Sequence, residues 1–125
     1  MVATTTKPNG FTTQLRNQIE YATEGVRRKL IAKDEQRQAV LVCLKAGTRL
    51  LRHASSYDGF ITVIEGEGIF TLEGQDIALE PGMFIALPAH AVHSVRAIGN
   101  LAFLKVVDSH NGYQEHPQVE TQSDT

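Results

Sequence analysis

The chain has 125 residues, 12 Lys+Arg against 14 Asp+Glu, 42% hydrophobic residues and no tryptophan. That is one domain's worth of polypeptide, able to bury roughly 68% of its surface around a single core but not to build two cores. The formal net charge of −2 supplies no basic field for phosphates, no window approaches a membrane span, and Met1 to Pro8 lacks the apolar core of a signal peptide, so the expectation is a cytoplasmic protein without nucleic-acid or membrane partners.

Residues 1–25 form a polar, Thr-rich N-terminal extension in which Leu15 and Ile19 share a helical face behind Thr12 and Thr13, so a short helix is expected there. From Val26 the pattern changes to short runs rich in Val, Ile, Leu and Phe. These read as strands at Val26–Ala32, Gln38–Leu44, Thr48–Ala54, Phe60–Glu65, Gly68–Leu72, Asp76–Leu79, Met83–Leu87, His93–Ile98 and Leu101–Val107. The breaks, such as Ser55-Ser-Tyr-Asp-Gly59, Glu80-Pro-Gly82 and Gly99-Asn100, carry residues that tolerate turn geometry. About nine strands with short connections and no intervening helical period predict an all-β antiparallel sandwich or barrel over 26–107. The single Cys43 excludes an intrachain disulfide framework and, lying inside Ala39–Leu44, reads as a buried inert thiol. Residues 108–125 are polar and read as a flexible tail, with His110 and His116 solvated. Charge is uneven: positions 1–52 hold ten Lys+Arg and four acids, positions 53–125 two and ten, as when opposite signs meet on paired strands or at a subunit contact.

Two Gly-punctuated blocks stand out, one from Gly47 to Gly66 and one from Gly82 to Ala97. Their spacing resembles the two motifs of the cupin superfamily, G-x5-H-x-H-x3,4-E-x6-G and G-x5-P-x-G-x2-H-x3-N. Gly47, His53 and Gly66 fit the first motif and Gly82, Pro88 and His93 the second, with a 15-residue intermotif segment, Glu67 to Pro81, of the length seen in small cupins. The departures are Ser55 at the second His position, Gly59 at the Glu position, His90 at the Gly position and Ala97 at the Asn position. Within the all-β class the resemblance selects the double-stranded β-helix, the jelly-roll cupin barrel, here preceded by a short extension.

In cupins the motif ligands hold a divalent transition metal, and this chain keeps two of the usual four, His53 and His93. With His90 as a third imidazole they would hold zinc, nickel, iron or manganese; the plain reading of His90 is a turn residue standing where the family has glycine. Asp58, one residue off register from Gly59, points to the other strand face. Strand period two places Leu51, His53 and Ser55 on one face with Arg49, which could meet a substrate carboxylate at the rim. Tyr57 is a loop aromatic that could act as a proton donor or a lid. Glu65 and Glu67 read as surface. By the same parity Leu51, Ile61, Val63, Phe70, Leu72, Ile85, Leu87, Val95, Ala102, Leu104 and Val106 face inward, making an apolar cup with two imidazoles, the usual composition of a small-molecule site.

Phe60 and Ile64 fall on the outer face, where apolar pairs indicate another layer or a second subunit, and cupins of this size are expected to be homodimers. Two functional readings result. One is a binding module for a small organic ligand with an incomplete metal site, and the other is a metal-dependent enzyme of dioxygenase or isomerase type. No catalytic residue is assigned by the sequence.

Overall fold

The computed structural model describes residues 10–108 and 121–123 of the chain. Ten strands make two antiparallel five-stranded sheets: β1 (Val26–Lys33), β2 (Arg37–Leu44), β3 (Thr48–His53), β4 (Gly59–Glu65), β5 (Gly68–Leu72), β6 (Gln75–Leu79), β7 (Phe84–Leu87), β8 (His93–Ala97), β9 (Leu101–Asp108) and β10 (Thr121–Ser123). One sheet has the order β1-β2-β9-β4-β7 and the other β10-β3-β8-β5-β6. Consecutive strands repeatedly cross from one sheet to the other, which is the jelly roll. Strand alternation supplies the core between the sheets: Val40, Val42 and Leu44 from β2, Ile61 and Val63 from β4, Phe70 from β5, Val95 and Ala97 from β8, and Leu101 and Phe103 from β9 pack into one cluster. Leu44 and Leu101 are fully buried, each contributing roughly 2 kcal/mol of transfer free energy. The expectation of a polar tail over 108–125 lies outside the described residues apart from Asp108 and the backbone of Thr121–Ser123, which pairs with β3.

The N-terminal extension makes a single 3₁₀ turn, Leu15–Gln18, rather than an α-helix, and its cap is Gln14, whose side chain accepts from the Arg16 N–H, not Thr12 or Thr13. Leu15, Ile19 and Tyr21 lie against the outer face of the first sheet, over Ile31, Leu41, Cys43 and Ala102. The Tyr21 hydroxyl donates to Glu65 Oε2 at 2.7 Å and fixes the segment there. This cover explains why β2 and β9 are apolar on both faces, and burial pushes the Cys43 thiol's pKa up.

The same cover corrects the inward list for β9. Leu101 and Phe103 face the core and Lys105 shares their face, whereas Ala102 and Leu104 join the outer cluster, and Val106, paired with the outward Phe60, is also on the outer face. A strand covered on both faces shows no alternation, so its parity is set by pairing: Val63 stands opposite Phe103 and Ile61 opposite Lys105. An irregularity between Val63 and Glu65 then turns Ile64 and Glu65 to the outer side, where Ile64 is covered by the extension.

Candidate functional site

A slip in the pairing of β3 with β8 decides what the interior contains. Leu50 stands opposite Val95 and Arg49 opposite Arg96, but His53 stands opposite His93, so β3 carries one extra residue between Leu50 and His53. A β-bulge of this kind re-aims the residues beyond it. Thr48 and Leu50 point inward before it and His53 after it, as a direct cross-strand neighbour of His93. Strict alternation had put Arg49 on the His53 face. The bulge corrects this: Arg49 lies on the outer face, in a shallow groove with Arg52, Asp76 and Arg96.

The two imidazoles sit 4.5 Å apart between ring centroids, tilted by 57°. Phe70 stacks on His93 at 5.7 Å. The Nδ1 of His93 lies 3.0 Å from the Ala91 carbonyl oxygen, and because a carbonyl only accepts, Nδ1 carries the proton and Nε2 holds the lone pair of the neutral ring. The Nδ1 of His53 is buried without a hydrogen-bond partner. Burial lowers the pKa of both rings. For His53 the like charges of His93, Lys105 and Arg28 push in the same direction while the nearby Leu51 backbone opposes them. For His93 the bond to Ala91 opposes burial and Lys105 adds to it. Both rings are therefore held towards the neutral form.

They line a cavity of about 40 Å³ between the sheets, room for about three waters. Of the residues expected there, it brings together His53, His93, Leu51, Ile61, Phe70 and Val95. Val63 and Ile85 are buried core residues that do not line it. Ser55 is in the loop after β3, where its Oγ accepts from the Tyr57 N–H at 3.0 Å, and neither side chain is on the cavity wall. The His90 N–H donates to the Ser55 carbonyl and the Ala89 N–H to Asp58, so this loop is tied to the turn that follows β7. His90 is exposed, with φ of +71°, and takes the left-handed turn conformation of the glycine it replaces. It does not reach the two imidazoles.

The wall also holds residues that the sequence reading missed: Val42, Leu50 and Phe103, Ser94, and above all the cations Arg28 on β1 and Lys105 on β9. Lys105 escaped notice because the inward parity of β9 was read one residue out of step, which placed it on the outer face. Arg28 sits among Arg27 and Lys29 and carries no mark in the sequence. Among the described residues, no group of three or more His, Cys, Asp or Glu is placed to hold a metal ion, and none of their helices is long and apolar enough to cross a membrane.

The fold recurs widely among solved structures. An RmlC-like cupin protein from Desulfovibrio desulfuricans is 24% identical and superposes with a TM-score of 0.71 over 79% of this chain and 96% of its own. KdgF from a Halomonas species is 24% identical, with a TM-score of 0.67 over 70% of this chain and 82% of its own. Salicylate 1,2-dioxygenase from Pseudoaminobacter salicylatoxidans is 19% identical, with a TM-score of 0.65 over 75% of this chain but only 29% of its own. At these identities the likeness is one of fold. No curated protein sequence matches the chain. The family model for the cupin domain matches residues 40–108, more than half of the chain, and takes in both motif blocks and all the strands from β3 to β9. The chain belongs to the cupin family.

Proposed function

We propose that this protein binds a small organic molecule in the cavity between its sheets, with His53 and His93 as the polar contacts and Leu51, Ile61, Phe70 and Val95 as the apolar wall. The carrying observation is the paired imidazoles, held towards neutrality and facing a small cavity. A neutral His93 anchored through Nδ1 offers its Nε2 lone pair to a ligand N–H or O–H.

The same anchoring favours the second reading, a metal-dependent enzyme, because metal-bound histidines are commonly oriented through the other ring nitrogen. The donor set does not fit a resident metal. It offers two imidazoles, no grouped third donor among the described residues, and two cations, Arg28 and Lys105, in the same cavity. A divalent ion would meet like charge there instead of the carboxylate that usually offsets it.

Elemental mass spectrometry on tag-free protein that has met no chelating resin separates the two readings. The expected result is well under one metal per chain, even after soaking with iron, zinc, nickel and manganese. About one metal per chain, lost on His53→Ala, would overturn the binding reading in favour of the enzyme.

The protein acts as a homodimer through the outer face of the first sheet. Phe60 and Phe84 are 52% and 58% exposed, with ring centroids 5.5 Å apart. Phe84 is on β7, which among the described residues is the edge strand of its sheet. The adjoining groove carries Arg37 together with Asp58 and Asp108, a mixture of signs that a two-fold contact can match against itself. Phe60→Asp is therefore expected to halve the mass in light scattering while leaving the circular dichroism spectrum unchanged. A variant that elutes with the wild-type mass sinks this assignment.

A further inference from the structure

Residues 11–24 are attached to the barrel by side chains where the strands are attached by their backbones. Among the described residues the segment belongs to neither sheet, and the backbone N–H groups of Asn17 and Ile19 bond within it, to the carbonyls of Gln14 and Arg16. Leu15, Ile19 and Tyr21 supply its packing on the outer face of the first sheet. Tyr21 donates to Glu65, which Arg16 also approaches at 3.8 Å, and the Glu20 carboxylate lies 3.2 Å from Lys29 and 3.7 Å from Arg27. Ladder pairing starts only after Gly25, whose φ is +85° and whose carbonyl accepts from the Lys45 N–H. From Val26 onward the chain is paired with β2 as far as Lys33.

A segment held by three packed side chains and a few partly exposed ion pairs opens at a lower free energy than strands joined by ladders. Cys43 shows what the segment hides. On β2 it shares the outward parity of Leu41, the face that solvent would otherwise reach, yet Cys43 is 2% exposed and Leu41 is fully buried. The Glu20 backbone acts on the Cys43 thiol, and a charge on that thiol would act on the Tyr21 hydroxyl, so the segment lies directly over the sulfur.

We propose that residues 11–24 form a strap that swings off the first sheet about Gly25 while both sheets stay folded, with the Tyr21–Glu65 hydrogen bond as its latch. Closed, the strap covers Leu41, Cys43, Ala102, Leu104 and Ile64. Open, it bares them as a continuation of Phe60 and Val106 along the same face of β4 and β9, so the strap sets how much apolar surface this sheet presents. Cys43 reports the opening, because a buried thiol meets a disulfide reagent only when it is uncovered.

The experiment follows the release of thiopyridone as the full chain meets dithiodipyridine at increasing urea, with reagent kept where the rate is proportional to its concentration, alongside unfolding by circular dichroism. Labelling is expected to be slower than in the urea-unfolded chain, yet nearly independent of urea below the unfolding transition, because lifting the strap exposes little surface. Tyr21→Phe removes the latch and keeps the ring. It should label about ten-fold faster, the effect of losing a hydrogen bond to a charged group. Ile85→Val weakens the main core on the far side of the sheet and should leave labelling without urea within about two-fold of wild type.

Labelling that rises with urea as steeply as global unfolding would mean that Cys43 is reached only through the unfolded chain, and the strap would be overturned. An Ile85→Val rate raised in step with its lost stability would overturn it too. A thiol that reacts as fast as in the unfolded chain would mean that nothing covers it, and a Tyr21→Phe rate equal to wild type would remove the latch. The urea profile of the unaltered protein decides between local and global opening without requiring any variant to fold.

Discussion

Replacing Gly66 by alanine is expected to leave the chain largely unfolded at 25 °C, with a loss above about 4 kcal/mol against a total stability of about 5–15 kcal/mol for a domain of this size. Gly66 has φ of +96°, a backbone conformation that L side chains avoid at a cost of about 1–2 kcal/mol. Strain of that size is survivable. The larger effect comes from what a Cβ would meet there: it would overlap the carbonyl oxygen of Asn100 and press on the Leu101 Cα at 2.7 Å, both of them backbone atoms that cannot swing aside. The contact lies at a junction. The N–H groups of Ile98 and Gly99 both donate to the Glu67 carbonyl, the Asn100 side chain accepts from the Ala46 N–H, and Leu101 is fully buried. Pushing the Asn100 backbone away would break that network and withdraw Leu101 from the core. Gly74→Ala is the control, because Gly74 has φ of +84° and nothing within 4 Å of the added Cβ. It should fold and lose only the conformational cost, about 1–2 kcal/mol. Urea unfolding of both variants checks the argument, and a Gly66→Ala protein as stable as Gly74→Ala would refute the close approach.

The contrast between those two glycines also shows what a sequence can disclose. Both lie at turns, and Gly66 was marked only by its place in a spaced motif; the contact that makes it indispensable comes from a strand some 35 residues further on. The strands themselves were legible because short β-branched and aromatic runs between Gly, Pro and Asp breaks leave few alternatives, and the two motif blocks selected the jelly roll among all-β folds. Which face each residue takes was legible only where one face is wet. On β4 and β8 the alternation is clean, and Ile61, Val63, His93 and Val95 point inward as expected. On β9 the N-terminal extension covers the outer face, the alternation disappears, and the inward set was read one residue out of step.

The bulge in β3 had the opposite effect on the site. It makes Leu50 and His53 share the interior although they are an odd number of residues apart, which no period-two reading can produce. Arg49 was assigned to the pocket on that reading. The cations that do line the cavity, Arg28 and Lys105, come from strands outside the first motif block and are brought together only by the order β1-β2-β9. Motif spacing found the imidazoles because they are neighbours across one ladder, and it could not find charges that arrive from the opposite sheet.

Phe70→Ala is expected to cost about 3–5 kcal/mol, the range for deleting a buried aromatic side chain, and to lower the melting temperature by roughly 10–20 °C. Phe70 is 1% exposed, packs in the main core and forms part of the cavity wall while stacking on His93. Its removal therefore takes away transfer free energy, leaves a void that neighbouring strands fill only in part, and frees the imidazole to turn. The void joins a cavity of about 40 Å³ that is too small for an aromatic ring. An apolar cavity of about 150 Å³ accepts benzene, so the variant should take up toluene where the wild type does not. Binding to the native state alone raises stability by about 2.7 kcal/mol when the ligand is at a hundred times its dissociation constant, enough to recover much of the loss. Thermal melts with and without toluene read both halves of the argument. The variant should melt far below wild type and rise by several degrees with toluene, while wild type stays fixed. A fall of less than about 4 °C would mean that the strands close over the gap and that Phe70 does not hold the cup open. A toluene response in the wild type would mean that the wall already yields to larger molecules, and the size limit on the ligand would then be withdrawn.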